Sequence, residues 1–205
     1  MSSFEFGDLL GPDDAAPVES INLNGEGGFL IVCDHGGQEI PKKLGELGLP
    51  AKNRNAHIAW DIGARDLGLH LSKAFDAPMI CGCYSRLVYD LNRYPWDIAA
   101  MAEISDGVCV PGNQNLSHPA RQRRFNAIAK PYYDAVFQKI ENMKADGKTP
   151  ILVSVHTMTD QLSGGAFRDE AFAVLSDPVD PVSRRFLSAL RKATQLKVGD
   201  NVPYA

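Results

Sequence analysis

The chain contains no run of 18 apolar residues, so no segment is suited to cross a bilayer as a helix. It has no P-loop, no Gly-x-Gly-x-x-Gly fingerprint and no Gly-x-Ser-x-Gly elbow. Those absences argue against P-loop NTPases, dinucleotide-binding dehydrogenases and elbow-type serine hydrolases. Lysine and arginine are missing from residues 1–41, which carry eight acids, from Glu5 and Asp8 through to Asp34 and Glu39. A secretory leader needs a basic start and a mitochondrial presequence is arginine-rich, so neither fits and the expected compartment is the cytoplasm. Cysteine is sparse. Cys33, Cys81, Cys83 and Cys109 lie in apolar settings, which suits reduced, packed thiols better than a disulfide framework. Basic residues number 21 against 25 acidic ones, a net charge of −4, which argues against a nucleic-acid partner.

What remains is an ordinary globular composition, 44% hydrophobic and long enough at 205 residues to bury a full core. Residues 1–24 read as an acidic arm broken at Gly11-Pro12-Asp13-Asp14, ahead of a single α/β domain over 25–205. Phe29 to Cys33 and Ile151 to Val155 are short continuous apolar runs, as expected for strands buried on both faces. Met79 to Asp90 holds one or two further strands, and Ala171 to Leu175 another. Helices are expected over Asp61 to Phe75, with Ala64, Leu67, Leu71, Ala74 and Phe75 inward, and over Val182 to Gln195. Ser117 should cap a long helix reaching Ala145 and kinked at Pro131, while 94–118 is irregular. Alternation of strand and helix implies an α/β class with a largely parallel sheet.

Two of the buried strands lead into a histidine, His35 and His156. Ligand crevices of open α/β sheets lie beyond the carboxyl ends of the strands, where two neutral imidazoles can share a metal ion. A third ligand is needed, and Asp61 or Glu39 could supply it. Asp61 could equally be a helix N-terminal acid, and Glu39 a solvated one. In Ser85-Arg86-Leu-Val-Tyr-Asp90-Leu-Asn92-Arg93, two arginines are interleaved with apolar residues and call for anionic partners. Either Arg86 and Asp90 form an internal salt bridge, or a guanidinium with Asn92 forks onto a substrate carboxylate. Arg121-Gln-Arg-Arg124 reads as a solvated helix face, and Gly164 to Arg168 as a flexible loop suited to a lid.

Asp34-His35-Gly36-Gly37, HIAWDIGA (57–64), YSRLVYDLNR (84–93), PGN (111–113), KPYYDAV (130–136) and SVHTM (154–158) stand in the order seen in N-formylglutamate amidohydrolase-like proteins, which the chain resembles from about residue 29 onward. The resemblance implies a three-layer α/β sandwich with a mostly parallel or mixed sheet, similar to the zinc exopeptidases. It implies zinc as cofactor and hydrolysis of an acidic N-acyl amino acid, most simply N-formyl-L-glutamate, to formate and glutamate. Asn92-Arg93 is similar to the carboxylate-binding pair of zinc carboxypeptidases, with Arg86 or Arg168 available for a second carboxylate. SVHTM resembles the segment carrying their late zinc histidine, giving His35, Asp61 and His156 as the metal set. The exopeptidase pattern His-x-x-Glu is not met, since Gln38 stands at that place and Glu39 follows it. The chain stops at Asn201-Val-Pro-Tyr-Ala205, where family members continue toward a glutamate that would serve as general base. Within these residues Glu39 is the nominated base. Alternatives are a deacylase or carboxypeptidase-like hydrolase of another acyl substrate, or a non-catalytic carboxylate binder. The expected partner is a small carboxylate-bearing molecule, without nucleic acid or membrane, and the oligomeric state is not fixed by the sequence.

Overall fold

The structure, a computed structural model, describes residues 9–95, 97–177 and 179–202. Positions 1–8 of the expected arm and the last three residues lie outside the described residues. The chain divides into two compact units, Met1–Met158 and Thr159–Ala205.

In the first unit, β1 (Val18–Ile21), β2 (Phe29–Cys33), β3 (Met79–Gly82) and β6 (Ile151–Ser154) form one sheet in the order β1-β3-β2-β6. The strands β3, β2 and β6 run parallel, and β1 pairs antiparallel with β3. A short hairpin of β4 (Ile104–Ser105) and β5 (Val108–Cys109) lies within the stretch expected to be irregular. Helices are α1 (Ala51–Arg54), α2 (Ala64–Ala74), α3 (His118–Arg124) and α4 (Lys130–Ala145). The class is therefore α/β with a mixed, mostly parallel sheet. In the second unit, β7 (Phe172–Val174) pairs in parallel with β8 (Val198–Asp200), and α5 (Pro181–Ala193) is capped by Asp180.

Alternation along the central strands sends side chains to opposite faces. Leu30, Val32 and Ile80 share a core with Ile128, Tyr132 and Met143 of the long helical segment. Ile31, Cys33, Met79 and Cys81 pack on the other face with Ala64 of α2. Cys33 and Cys81 are buried free thiols within that packing. The stripe expected on α2 is rotated: Ala64, Gly68 and Ser72 are its buried residues, while Leu67 and Phe75 are exposed. Close approach explains this, because a Cβ at Gly68 would lie 2.6 Å from the Met79 methyl carbon.

The described part of the expected acidic arm lies against the rest of the first unit. Asp14 accepts from the main-chain N–H of Gly11 and of Lys42, and β1 lies against β3. Bidentate pairing of Glu19 with Arg65, at 2.8 and 2.7 Å, fastens that strand to α2. The four residues Val18-Glu-Ser-Ile21 are too short a pattern to read as a strand without the partner strand.

Ser117 caps α3 through Ala120 N–H as expected, but Pro131 is accommodated by a π-helical turn over Phe125–Ala129 that precedes α4. Proline cannot donate, and its ring crowds the carbonyl four residues back, so the wider turn relieves both. Arg124 corrects the expected solvated face. It is only 2% exposed and donates to the carbonyl of Val88, to Asn113 Oδ1 and to the carbonyl of Gly112. Burial, together with nearby Arg121, brings its pKa down to about 10. Arg124→Met should destabilise the protein by about 2–4 kcal/mol, because it leaves buried carbonyls without donors. Denaturant unfolding checks this, and a loss below about 0.5 kcal/mol would show that those carbonyls find other partners.

Candidate functional site

The carboxyl ends of β2, β3 and β6 open onto one side of the sheet. After β2 the chain turns through Asp34-His35-Gly36-Gly37, pressed against the end of β3: a Cβ on Gly37 would come 2.0 Å from the Cys83 carbonyl oxygen. Beyond β6, Val155 N–H bonds to Val32 O, which carries His156 alongside that turn. The two imidazole centroids are 5.0 Å apart. Asp61 arrives from the loop before α2, and its N–H bonds to the carbonyl of His35 itself. The Ser85–Arg93 segment follows β3, anchored where Arg86 N–H and Ser85 Oγ both donate to Ala59 O.

Each imidazole is backed by a carboxylate. His35 Nε2 lies 2.7 Å from Asp90 Oδ1, and His156 Nε2 lies 3.2 Å from Asp34 Oδ2. Asp90 is fastened by Arg86 Nη2 at 3.1 Å and by the N–H of Asn92 at 3.0 Å. Asp34 is fastened by the hydroxyls of Tyr132, at 2.6 Å, and Ser154, at 3.0 Å. A carboxylate only accepts, so each Nε2 carries hydrogen; each Nδ1 faces inward, where that of His156 also meets a carboxylate and carries a hydrogen that a bound ion would displace. There they meet one oxygen: Asp61 Oδ2 lies 2.8 Å from His156 Nδ1 and 3.5 Å from His35 Nδ1. Arg86 Nη1 holds the other oxygen, Asp61 Oδ1, at 3.2 Å.

The electrostatics follow from this crowding. Burial resists ionisation of Asp61, but the hydrogen bond from His156 and the His35 imidazole 3.5 Å away outweigh it and hold the carboxyl well below the usual range. Asp90 is brought down to about 2, because His35 and Arg86 overcome its burial. Burial also disfavours charge on His156, yet hydrogen bonds to Asp34 and Asp61 push it up to about 9. His35 is raised against the same cost of burial by the nearby Asp61 carboxylate and by its hydrogen bond to Asp90. With Arg86 paired to Asp61 and Asp90, the two protonated imidazoles balance the remaining charge of the three carboxylates Asp34, Asp61 and Asp90; with both imidazoles neutral, as metal ligands are, the cluster carries an excess of two negative charges, suited to a divalent cation.

The donor set fits such an ion. One ligand atom each from His35, Asp61 and His156 lies within 4.8 Å of the others. His35 Nδ1 is buried without a hydrogen-bond partner among the described residues, an orphan that a metal bond would satisfy. Tetrahedral zinc with bonds of about 2.0–2.1 Å separates its ligands by about 3.3 Å, close to the spacings around Asp61 Oδ2. His156, with 32% of its side chain exposed, leaves one side of the group open to solvent.

The other residues singled out from the sequence are placed differently. Glu39 is exposed and lies outside the three-residue group; its main chain pairs with Cys83 and Ser85. Arg86 is engaged by two acids, Asp61 and Asp90. Arg93 is half exposed, with only Nε near a carboxylate, at 3.9 Å from Asp90, and Asn92 is exposed beside it. Arg168 belongs to the second unit, where it donates to Thr159 O. Sequence reasoning missed Asp34, Ser154 and Tyr132 as members of the site. The i, i+2 spacing of Ser154 and His156 on one strand face was a usable signal, whereas Tyr132 lies 98 residues from Asp34 and gave none.

The family profile described as N-formylglutamate amidohydrolase matches residues 27–205. The chain belongs to that family. Membership makes the protein an amidohydrolase of a linear, non-peptide amide, and the family's reaction is hydrolysis of N-formylglutamate. No curated protein matches the sequence. A gene product of Agrobacterium tumefaciens, known from its crystal structure, is 33% identical with a TM-score of 0.90, covering 96% of this chain and 77% of that one. The crystal structure of N-formylglutamate amidohydrolase from Ralstonia eutropha is similar in fold, with a TM-score of 0.66 at 17% identity over 93% of this chain and 78% of that one. No helix among the described residues is long and apolar enough to cross a membrane.

Proposed function

We propose that the protein is a metal-dependent hydrolase of N-formyl-L-glutamate, using zinc held by His35, Asp61 and His156 in a site of the zinc-exopeptidase kind. One observation carries this reading: two inward Nδ1 atoms share one carboxylate oxygen while both Nε2 atoms are backed by fastened carboxylates. Such backing fixes tautomer and ring orientation at metal centres. Zinc bound there supplies a Lewis acid for the formyl carbonyl and lowers the pKa of water toward about 7.

The chain's own residues do the rest. Arg86 keeps Asp61 Oδ1 occupied, so Asp61 offers the group a single oxygen. Asn92 and Arg93, at the exposed rim, bind a substrate carboxylate by forked, charge-assisted hydrogen bonds. Glu39 is the proposed base that takes the proton of water and returns it to the leaving amine. Glu39→Gln should lower kcat by about 10²-fold or more with zinc content unchanged. A variant that keeps its rate removes Glu39 from that role.

Elemental analysis of purified protein, followed by formate release from a panel of N-formyl and N-acetyl amino acids, tests the whole reading. Absence of metal together with absence of formate from N-formylglutamate would overturn it. Preference for an N-acetyl substrate would turn the site into that of a deacylase.

A further inference from the structure

Two consecutive tyrosines of α4 reach two different parts of the site. Tyr132 is 2% exposed and donates its hydroxyl to Asp34 Oδ1 at 2.6 Å, and Oδ2 of the same carboxylate backs His156. Tyr133 is half-buried, and its hydroxyl faces the carbonyls of Leu91 and Arg93, each at 3.0 Å. Neighbouring side chains diverge by about 100° around a helix, so an adjacent pair naturally serves two separate loops. The π-helical turn at Phe125–Ala129 lies directly upstream and sets the rotation with which α4 presents them. Among the described residues, the hydrogen bonds of both hydroxyls go to Asp34 and to main-chain carbonyls rather than to a proposed ligand atom or an arginine head group.

We propose that Tyr132 and Tyr133 are positioning residues with separable tasks: Tyr132 orients the metal ligand His156 through Asp34, and Tyr133 holds the Leu91–Arg93 turn that aims the carboxylate-binding Arg93. The inference rests on the function proposed above and extends it to the helix behind the site. With Asp34 tethered at both oxygens, it cannot swing away from Nε2, and the inward Nδ1 stays in register with Asp61. With the single hydrogen of one phenol shared between the carbonyls of Leu91 and Arg93, the backbone on either side of Asn92 keeps one conformation at an otherwise exposed rim.

Each Tyr→Phe change removes one oxygen, so the two variants can be compared without a large packing difference. Tyr132→Phe should weaken zinc binding by about 10–100-fold in chelator competition and alter the visible spectrum of the cobalt-substituted protein. Tyr133→Phe should leave zinc affinity and that spectrum as in the parent. Instead it should raise KM for N-formylglutamate by about 5–10-fold, with the larger part of the loss in KM, and weaken calorimetric binding of glutamate alike. Thermal unfolding of both variants separates a general loss of stability, which would shift both readouts together. Zinc affinity unchanged in Tyr132→Phe, or lowered equally in both variants, would overturn the division of tasks. A parent protein that binds zinc and hydrolyses N-formylglutamate while both variants match it would leave the function standing and remove the tyrosines. A parent that binds neither zinc nor glutamate would remove both ideas.

Discussion

His156→Ala is expected to take bound zinc from about one equivalent per chain to a trace, and to lower formate release by about 10³-fold or more. The magnitude follows from what a Lewis acid contributes: several kcal/mol of transition-state stabilisation, with each 1.4 kcal/mol worth a factor of ten. His156 is the cleanest of the three proposed ligands to remove, because about a third of its side chain is exposed and water can fill the gap. His35→Ala should have the same effect on metal and a larger one on stability. At 1% exposure His35 fills the packed turn after β2, and its loss strips Asp90 Oδ1 of a 2.7 Å partner inside the fold. Asp61→Ala should lose metal as well and leave Arg86 Nη1 without its acid. Elemental analysis beside a formate assay reads all three variants. Full zinc occupancy in His35→Ala and His156→Ala would mean that the metal is held elsewhere or not needed.

Much of this arrangement could be read from residue order. The strands Phe29–Cys33 and Ile151–Ser154 announced themselves as apolar runs, and the histidines beyond their ends marked the crevice side of the sheet. Asp61 could be nominated because a helix was evident just after it. What resisted was long-range. Asp34 stands beside His35 in the sequence, yet its side chain serves His156 across the sheet, 120 residues from its partner Ser154. Alternation along an extended segment sends neighbours to opposite sides, so only the pairing of β2 with β6 reveals which imidazole it meets. Arg124 misled for a similar reason. Three arginines in four residues look solvated, but only the fold shows Val88, Gly112 and Asn113 offering oxygens to one of them. The α2 stripe shows the limit of hydrophobicity as a guide, since tight helix–sheet contact selected small Ala64, Gly68 and Ser72 over Leu67.

The two arginines of the Ser85–Arg93 segment should separate in opposite directions when replaced. Arg86 bridges Asp61 and Asp90, whose side chains are 5% and 10% exposed, so Arg86→Met leaves two carboxylates buried together with only the imidazoles to balance them. Breaking a buried ion pair from one side costs about 3–5 kcal/mol, and denaturant unfolding should show a loss of that order. Arg93 has 52% of its side chain exposed, and Arg93→Met should leave stability within about 0.5 kcal/mol. Its effect belongs to the substrate. Charge-assisted hydrogen bonds to a carboxylate are worth about 1.5–3 kcal/mol each, so kcat/KM for N-formylglutamate should fall by about 10–100-fold. Arg93→Lys should recover little of this, because an ammonium keeps the charge and loses the planar fork. Comparing N-formylglutamate with N-formylglutamine then identifies the carboxylate concerned. If Arg93 holds the α-carboxylate, both substrates lose equally; if it holds the side-chain carboxylate, only N-formylglutamate does. Full activity of Arg93→Lys on both substrates, with Arg86→Met as stable as the parent, would leave this segment without either role.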